Sequence, residues 1–319
     1  MSRLDLLRIA TRGSDLALIQ ARQIATRIEK EFGCETELVV LRTTGDQIQD
    51  RSLSKIGGKG LFVKEIEEAL LDGRADVGVH SAKDVPAQLA EGCVLAAYPE
   101  RVDPRDALAC RRRGSTLASL PSGARVGTGS ARRMALLRAQ RPDLVLVPLR
   151  GNVPTRLGRL EGDDLGLDLD AVVLACAGLD RLGLADRIDE RISTHTLLPA
   201  VGQGLLVLET RFESEWHAKI CELESPEVGA VARAERAYQT ALGGDCSIPL
   251  AGFAERTEPG ELRIRGLVAS LDGATIARAE IVGRESEAEQ LGRRAADAVL
   301  AAGGREILLA LAAESESDG

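Results

Sequence analysis

The chain has 319 residues, of which 28% are charged, and its formal net charge is −8. That overall charge repels nucleic acids and acidic membranes, so we expect neither as a partner and any cationic site must be local. No apolar run approaches the roughly 20 residues that a membrane-spanning helix needs. Six cysteines without a CxxC spacing and only three histidines argue against a metal site and a disulfide framework. We therefore expect reduced cysteines and a cytoplasmic location.

At this length the chain should form two or three domains, and its first third alternates between strand-like and helix-like segments. The predicted elements are a strand at 6–10, a helix after Ser14, a strand at 37–41, a helix at 62–71 and a strand at 76–79. The same order of elements returns after residue 124. There the predicted strands cover 125–128, 144–149 and 171–175, with helices beginning near 131 and 154. Because parallel strands need helical crossovers, each half predicts a parallel sheet.

Two segments connect these halves: 98–105, which contains two prolines, and 196–204, which contains one proline and two glycines. Residues 205–209 then have the pattern of a strand that returns to the first half. Two connections of this kind predict a hinge with a cleft between the halves. Beyond residue 222 the pattern changes to a helix at 227–242, strands at 249–254, 261–269 and 275–280, and helices from about 285 and 305. This part predicts an antiparallel sheet with helices.

The predicted fold class is therefore α/β, with two lobes around a cleft and a C-terminal α+β domain. Lobe 1 would comprise residues 1–100 and 199–218. Lobe 2 would comprise residues 105–195, and the C-terminal domain residues 222–313.

Arginines follow the predicted strands at an unusual number of positions. Arg12, Arg132, Arg133, Arg150 and Arg181 each come shortly after a strand-like run. In parallel α/β sheets, ligands bind beyond the carboxyl ends of strands, and guanidinium groups pair bidentately with carboxylates or phosphates. The pattern predicts a site for a polyanion. The alternative is a general preference for arginine over lysine, which would leave these positions without a common role.

Three short motifs could carry chemistry. Lys83 and Asp84 follow a strand and could act in acid–base catalysis, or they could be a solvent-exposed lysine and a capping aspartate. The run Gly57-Gly58-Lys59-Gly60 could cover a site or form a flexible turn. Cys246 lies between glycines and a proline, so its thiol could be a nucleophile or an attachment point, or it could be inert.

These motifs together resemble those of the porphobilinogen deaminase (hydroxymethylbilane synthase) family. The resemblance rests on residues 79–86, 57–62, 150–157 and 199–204 and on the loop around Cys246, in the order that the family has them. It extends over essentially the whole chain. It implies two lobes shaped like those of periplasmic binding proteins, and a third domain that carries the cofactor cysteine.

The resemblance also implies a transferase of porphyrin and haem biosynthesis. Such an enzyme condenses four porphobilinogen molecules head to tail on a bound dipyrromethane, with loss of ammonia, and releases hydroxymethylbilane by hydrolysis. Cys246 would hold the dipyrromethane through a thioether, and Asp84 would act on each incoming porphobilinogen. A monomer is expected.

Each pyrrole brings an acetate and a propionate, which the resemblance assigns to cationic and hydroxyl side chains. The residues so assigned are Arg12, Ser14, Lys83, Thr128, Ser130, Arg132, Arg133, Arg150, Arg156 and Arg181. Gly57, Gly58, Lys59 and Gly60 would form a mobile loop over the cleft. Pro154 stands where the family commonly has glycine, which could change how Arg156 is presented.

Two other functions fit part of the pattern. A cytoplasmic sensor of an acidic ligand would use the same lobes and arginines, but it would carry no covalent pyrrole. A phosphate-handling transferase using Lys59 and Arg132 would need a pair of metal-binding carboxylates, which the sequence does not offer.

Overall fold

A computed structural model describes residues 6–42, 63–162, 166–243 and 248–317. Its first sheet has the strand order β2-β1-β3-β10-β4. The strands are β1 (Leu6–Arg12), β2 (Glu35–Leu41), β3 (Val77–Ser81), β4 (Cys93–Ala97) and β10 (Leu206–Arg211). Two helices pack against it, α1 (Asp15–Phe32) and α2 (Lys64–Leu71). This sheet and its helices are called lobe 1 below.

The second sheet has the order β7-β6-β8-β5-β9, which repeats the first sheet position by position. Its strands are β5 (Asp106–Cys110), β6 (Arg125–Thr128), β7 (Val145–Pro148), β8 (Ala171–Ala175) and β9 (Glu190–Ile192). Its helices are α3 (Ala131–Gln140), α4 (Val153–Gly158) and α5 (Cys176–Arg181). This sheet and its helices are called lobe 2. The internal repeat predicted from the order of elements is thereby confirmed.

The prediction of purely parallel sheets is wrong in one respect. Three neighbouring strands of each sheet are parallel, as expected: β2, β1 and β3 in lobe 1, and β7, β6 and β8 in lobe 2. Each sheet also receives one antiparallel strand, β10 in lobe 1 and β5 in lobe 2. Each of these strands directly follows a connection between the lobes. β5 is the first strand after the chain enters lobe 2, and β10 is the first strand after it returns to lobe 1.

The C-terminal part is an antiparallel sheet covered by helices, which confirms the predicted α+β architecture. Its strands are β11 (Leu250–Glu258), β12 (Glu261–Ala269) and β13 (Ile276–Arg284), in that order. The helices are α6 (His217–Cys221), which packs on lobe 1, and α7 (Pro226–Leu242), α8 (Ala288–Val299) and α9 (Arg305–Ser317).

Tyr238 of α7 is fully buried, and its hydroxyl donates to the Leu267 carbonyl oxygen at 3.2 Å. A Cβ on Gly252 of β11 would lie 2.8 Å from the Tyr238 ring, and one on Gly266 of β12 would lie 2.5 Å from it. The ring therefore packs against both strands only because glycine stands at these two positions.

A buried carboxylate of α7 joins both connections between the lobes. Glu235, which is fully buried, accepts from Arg101 Nη1 at 2.7 Å and from the backbone N–H of Gly202 at 2.7 Å. The backbone N–H of Ala254 in β11 donates to the same carboxylate at 2.8 Å. Breaking such a pair leaves an uncompensated buried charge and typically costs about 3–5 kcal/mol. Glu235 therefore fixes the two connections to each other and to the third sheet.

Candidate active site

The carboxyl ends of β1 and β3 bring three charged side chains of lobe 1 together. Arg12 ends β1, while Lys83 and Asp84 lie in a 3-10 turn, Ala82–Asp84, that directly follows β3. Arg12 Nη1 lies 4.0 Å from Asp84 Oδ2, and the Asp84 side chain is 35% exposed. Gly202 of the second connection packs so closely on this turn that a Cβ there would lie 2.8 Å from the Lys83 nitrogen. Asp84 is thus held by its surroundings and is still accessible to a ligand.

Lobe 2 contributes two helix N-termini at the ends of β6 and β7. The Ser130 hydroxyl caps α3 by accepting from the backbone N–H of Arg133 at 3.4 Å, and Asn152 caps α4 by accepting from Thr155 at 2.9 Å. Ser14 caps α1 of lobe 1 in the same way, through the N–H of Ala17 at 3.4 Å. Helix N-termini carry partial positive charge and favour anions. Two of the predicted binding residues, Ser14 and Ser130, therefore act as helix caps at the edge of the site.

Arg132 and Arg133, the second and third residues of α3, lie in the interior. Arg132 is 3% exposed and Arg133 is 5% exposed. Both bind the fully buried Asp106, with Arg132 Nη1 at 2.8 Å from Oδ2 and Arg133 Nε at 2.9 Å from Oδ1. Burial alone would raise the pKa of Asp106, but the two guanidiniums outweigh it and hold that pKa below its usual range. The predicted arginine pair is therefore already bound to an acid that the sequence had not singled out.

Charges from the two lobes act on one another across the site. Burial lowers the pKa of Lys83, and Arg133 and Arg156 of lobe 2 lower it further, while Asp84 opposes the shift. Burial, Arg133 and Arg150 lower the pKa of Arg156 to about 10, again against the effect of Asp84. Neighbouring cations disfavour one another's charged forms when no anion compensates them. The site holds more positive than negative charge, which an anionic ligand would balance.

The residues present suit a ligand with several carboxylates. The Thr128 side chain at the end of β6 is 1% exposed, and within the described ranges its Oγ1 has no hydrogen-bond partner. A buried hydroxyl of this kind costs free energy until a polar group reaches it. Arg156 Nε donates to the Gly151 carbonyl oxygen at 2.7 Å, which orients the guanidinium while leaving other N–H groups to donate.

Comparison with known proteins gives the same result over nearly the whole chain. The family model described as "Porphobilinogen deaminase, dipyromethane cofactor binding domain" matches residues 7–219, and "Porphobilinogen deaminase, C-terminal domain" matches residues 230–301. The chain belongs to the porphobilinogen deaminase family. The resemblance inferred from the motifs is confirmed, as are a transferase of tetrapyrrole biosynthesis and its dipyrromethane cofactor.

Curated relatives carry the same family name. The porphobilinogen deaminase of Syntrophus aciditrophicus (strain SB) is 48% identical over 307 residues, which cover 95% of this chain and 97% of that protein. The one from Chromobacterium violaceum is 47% identical over 313 residues, covering 98% of this chain and 99% of that protein. Among solved structures, a periplasmic substrate-binding protein of an ABC transporter from Coxiella burnetii is similar with a TM-score of 0.42. It is 14% identical and covers 72% of this chain and 96% of its own.

Some residues predicted from the family resemblance lie elsewhere or are not described. Arg181 ends α5 and binds the connections between the lobes, donating from Nη2 to Glu100 Oε1 at 2.8 Å and to the Gly204 carbonyl oxygen at 3.3 Å. Its predicted role in binding pyrrole carboxylates stays a prediction. Cys246 and the loop Gly57-Gly58-Lys59-Gly60 lie outside the described residues.

Two further observations concern the described part of the chain. In it, no cluster of three or more His, Cys, Asp or Glu side chains could hold a metal ion. None of its helices combines the length and apolar character needed to cross a membrane.

Proposed function

We propose that this chain condenses porphobilinogen head to tail, with loss of ammonia at each of four additions, and then releases hydroxymethylbilane by hydrolysis. The observation that carries the proposal is the meeting of cations from both lobes around one accessible carboxylate. Asp84 lies 4.0 Å from Arg12 of its own lobe, and its charge raises the pKa of Arg156 of the other lobe. The cations would bind the two carboxylates of each pyrrole ring, and the reacting carbon of the substrate would face Asp84.

The proposed work of Asp84 is electrostatic and acid–base. Loss of ammonia from porphobilinogen leaves positive charge on the pyrrole, and a fixed carboxylate stabilises such charge as it develops. Asp84 is 35% exposed, whereas Asp106 is fully buried and already bound to two arginines. Of these two acids, only Asp84 can therefore meet the substrate. Lys83, with its lowered pKa, is the adjacent group that could exchange a proton with the departing amine.

The proposed cofactor attachment is a thioether to Cys246, which falls between α7 and β11. When bound, the dipyrromethane supplies the primer for the growing chain and brings four carboxylates of its own. We propose that Arg132, Arg133 and Thr128 bind the carboxylates nearest α3, and that Arg150, Arg156 and Arg12 bind those nearer the opening. Charge-assisted hydrogen bonds contribute on the order of 1.5–3 kcal/mol each, so several are needed to retain a chain that must also move.

We also propose the division into residues 1–100 with 199–218, residues 105–195, and residues 222–313, and a monomer that works in the cytoplasm without nucleic-acid or membrane partners. The net charge of −8 supports the absence of those two partners. Sedimentation equilibrium of the purified chain tests the monomer, and a mass of two or more chains would contradict it.

The experiment that tests the whole proposal combines intact-protein mass spectrometry with turnover. The purified protein should be heavier than its sequence mass by two pyrrole units and should release ammonia from porphobilinogen. Cys246→Ser should remove both the added mass and the turnover. Cys221→Ser is the matched control, because Cys221 of α6 is only half-buried and is distant in sequence from the proposed attachment loop. An unmodified protein with full activity would contradict the attachment, and a modified protein without turnover would contradict the reaction.

A further inference from the structure

A single buried acid organises the arginine pair of lobe 2. Asp106 begins β5, and its carboxylate accepts from Arg132 Nη1 at 2.8 Å, from Arg132 Nη2 at 3.1 Å and from Arg133 Nε at 2.9 Å. Arg132 Nη1 also donates to the Leu198 carbonyl oxygen at 2.7 Å, and Arg133 Nη1 to that of Val173 at 3.1 Å. Most of the donor groups of both arginines are thus fixed by the protein, and neither guanidinium can rotate without breaking several bonds.

The neutral amide of Gln203 completes this arrangement. Gln203 is 1% exposed, and its Nε2 donates to Asp106 Oδ1 at 3.0 Å and to the Pro104 carbonyl oxygen at 2.7 Å. Its Oε1 accepts from Arg133 Nη2 at 3.5 Å. One side chain therefore touches both members of the ion pair and the first connection between the lobes.

The backbone of Gln203 extends the network to the C-terminal domain. Its carbonyl oxygen accepts from Arg101 Nη2 at 3.2 Å, and Arg101 Nη1 is bound to Glu235 of α7 at 2.7 Å. The N–H of the preceding residue, Gly202, also donates to Glu235. A continuous set of hydrogen bonds thus runs from α7, through both connections, to the arginine pair.

The four groups Arg132, Arg133, Asp106 and Gln203 carry a net charge of one positive unit. Two guanidiniums face one carboxylate, and the fourth polar group, Gln203, is neutral. A glutamate in its place would have nearly the same shape but would cancel the remaining charge. The choice of an amide at this buried position therefore preserves a net cation for an anionic ligand while still supplying two hydrogen-bond donors.

We propose that Asp106 and Gln203 are positioning residues for Arg132 and Arg133, and that they set the net charge which these arginines present to the bound pyrrole chain. In this proposal both residues act through the two arginines and do not contact the ligand themselves. The proposal rests on the proposed function, in which Arg132 and Arg133 bind pyrrole carboxylates.

Two substitutions of Gln203 separate charge from shape. Gln203→Glu adds a negative charge at the same size, and Gln203→Met keeps the size but removes the hydrogen bonds without adding charge. For each variant the pyrrole mass bound after expression, KM, kcat and Tm are measured. We expect Gln203→Glu to raise KM about tenfold or more, the effect of one charged contact, and to lower the fraction of protein that carries its two pyrrole units. Gln203→Met should lower kcat with a smaller change in KM, because the arginines keep their charge but lose part of their orientation.

Gln239→Glu is the matched control. Gln239 is also buried, at 7% exposure, and its Oε1 lies 3.5 Å from Arg236 Nη1, outside the Asp106 network. It should keep the KM and the bound pyrrole mass of the parent protein. If Gln203→Glu matches the control in both, the positioning role is refuted; a fall in Tm with unchanged KM and bound mass would refute it equally.

Arg133→Gln distinguishes this proposal from the one it rests on. If Arg133→Gln has the bound pyrrole mass and the KM of the parent protein, Arg133 does not bind pyrrole carboxylates and the proposed function is wrong at this residue. If that variant is defective while Gln203→Glu is normal, only the positioning role fails.

Discussion

The two lobes share one strand order, and each receives an antiparallel strand that carries a fully buried acid. In lobe 1 the inserted strand β10 carries Glu209, and in lobe 2 the inserted strand β5 carries Asp106. The acids differ in register. Asp106 lies opposite Ala175, the last residue of β8, whereas Glu209 lies opposite Gly78 in the interior of β3.

This difference in register decides what each acid can do. At the carboxyl end of its sheet, Asp106 reaches the arginines at the start of α3. Further inside its sheet, Glu209 meets His80, with Oε2 at 2.8 Å from His80 Nε2. Glu67 of α2 belongs to the same buried group, and burial together with Glu209 raises its pKa. The same topology thus places an acid that orients two arginines in lobe 2 and an interior polar pair in lobe 1. In lobe 1 the acid at the edge of the candidate site is Asp84.

The largest expected effect concerns the acid that lobe 1 does present to the site. Asp84→Asn should lower kcat by at least about 10², because an amide cannot stabilise developing positive charge. KM should change far less. Steady-state kinetics measure both, and Asp143→Asn, at an aspartate paired with Arg141 on the surface, is the control. A variant within tenfold of the parent would leave Asp84 without a catalytic role.

A smaller kinetic effect is expected for the cations of lobe 2. Arg156→Leu should raise KM by about ten- to a hundredfold, since a lost contact with a charged carboxylate costs roughly 1.5–3 kcal/mol. Arg156→Lys should recover part of the loss, because it restores charge without the planar fork. Arg112→Leu, at an exposed arginine, should have no effect. Equal behaviour of the two leucine variants would mean that arginine is merely the preferred cation of this chain.

Asp106→Asn should lower the free energy of unfolding more than Glu209→Gln, the corresponding substitution in lobe 1. Removing one partner from a buried ion pair costs about 3–5 kcal/mol, measured as the difference in free energy of unfolding in urea. The folded pKa of Asp106 is lowered, so its contribution is complete above about pH 4 and decreases as the unfolded state takes up the proton at lower pH. The difference between parent and variant should therefore shrink below pH 4. A difference that stays constant on acidification would contradict the ion pair.

The smallest effect is expected for Glu209→Gln. A glutamine can still face His80, and within the described ranges no guanidinium donates to the Glu209 carboxylate, so the free energy of unfolding should fall by only about 1 kcal/mol. KM and kcat should stay within twofold of the parent. A large kinetic defect here would show that the interior pair of lobe 1 does control the turn carrying Asp84, and that register is the wrong explanation for the difference between the lobes.

The sequence predicted the helices and parallel strands well because their periodicity and caps are local signals. Strands 125–128, 171–175 and 261–269 have the predicted bounds, and Ser14 caps α1 as expected. The strands that were missed, β4, β5 and β9, have five, five and three residues. Short apolar runs such as these become strands only through pairing with distant segments, which no local pattern records.

The site shows the same division. The strand-end rule brought Arg12, Lys83 and the arginines of α3 to one place, because the carboxyl ends of parallel strands share an edge. Asp106 escaped notice since an acid before an apolar run resembles an ordinary turn residue. Arg181 is one helix removed from its strand, and six residues of α5 carry it to the connections between the lobes.

The insertion of β10 has a consequence for synthesis on the ribosome. All five strands of lobe 2 lie between Asp106 and Ile192, so that sheet can close as a continuous segment. Lobe 1 cannot, because β10 separates β3 from β4 and emerges about 110 residues after β4, a delay on the order of 5–20 s at 5–20 residues per second. Throughout that interval the edge of β3 that later pairs with β10 has unpaired backbone N–H and C=O groups. Such an edge can pair with the wrong strand unless a chaperone covers it. The lobe that comes first along the chain is thus the second to be finished.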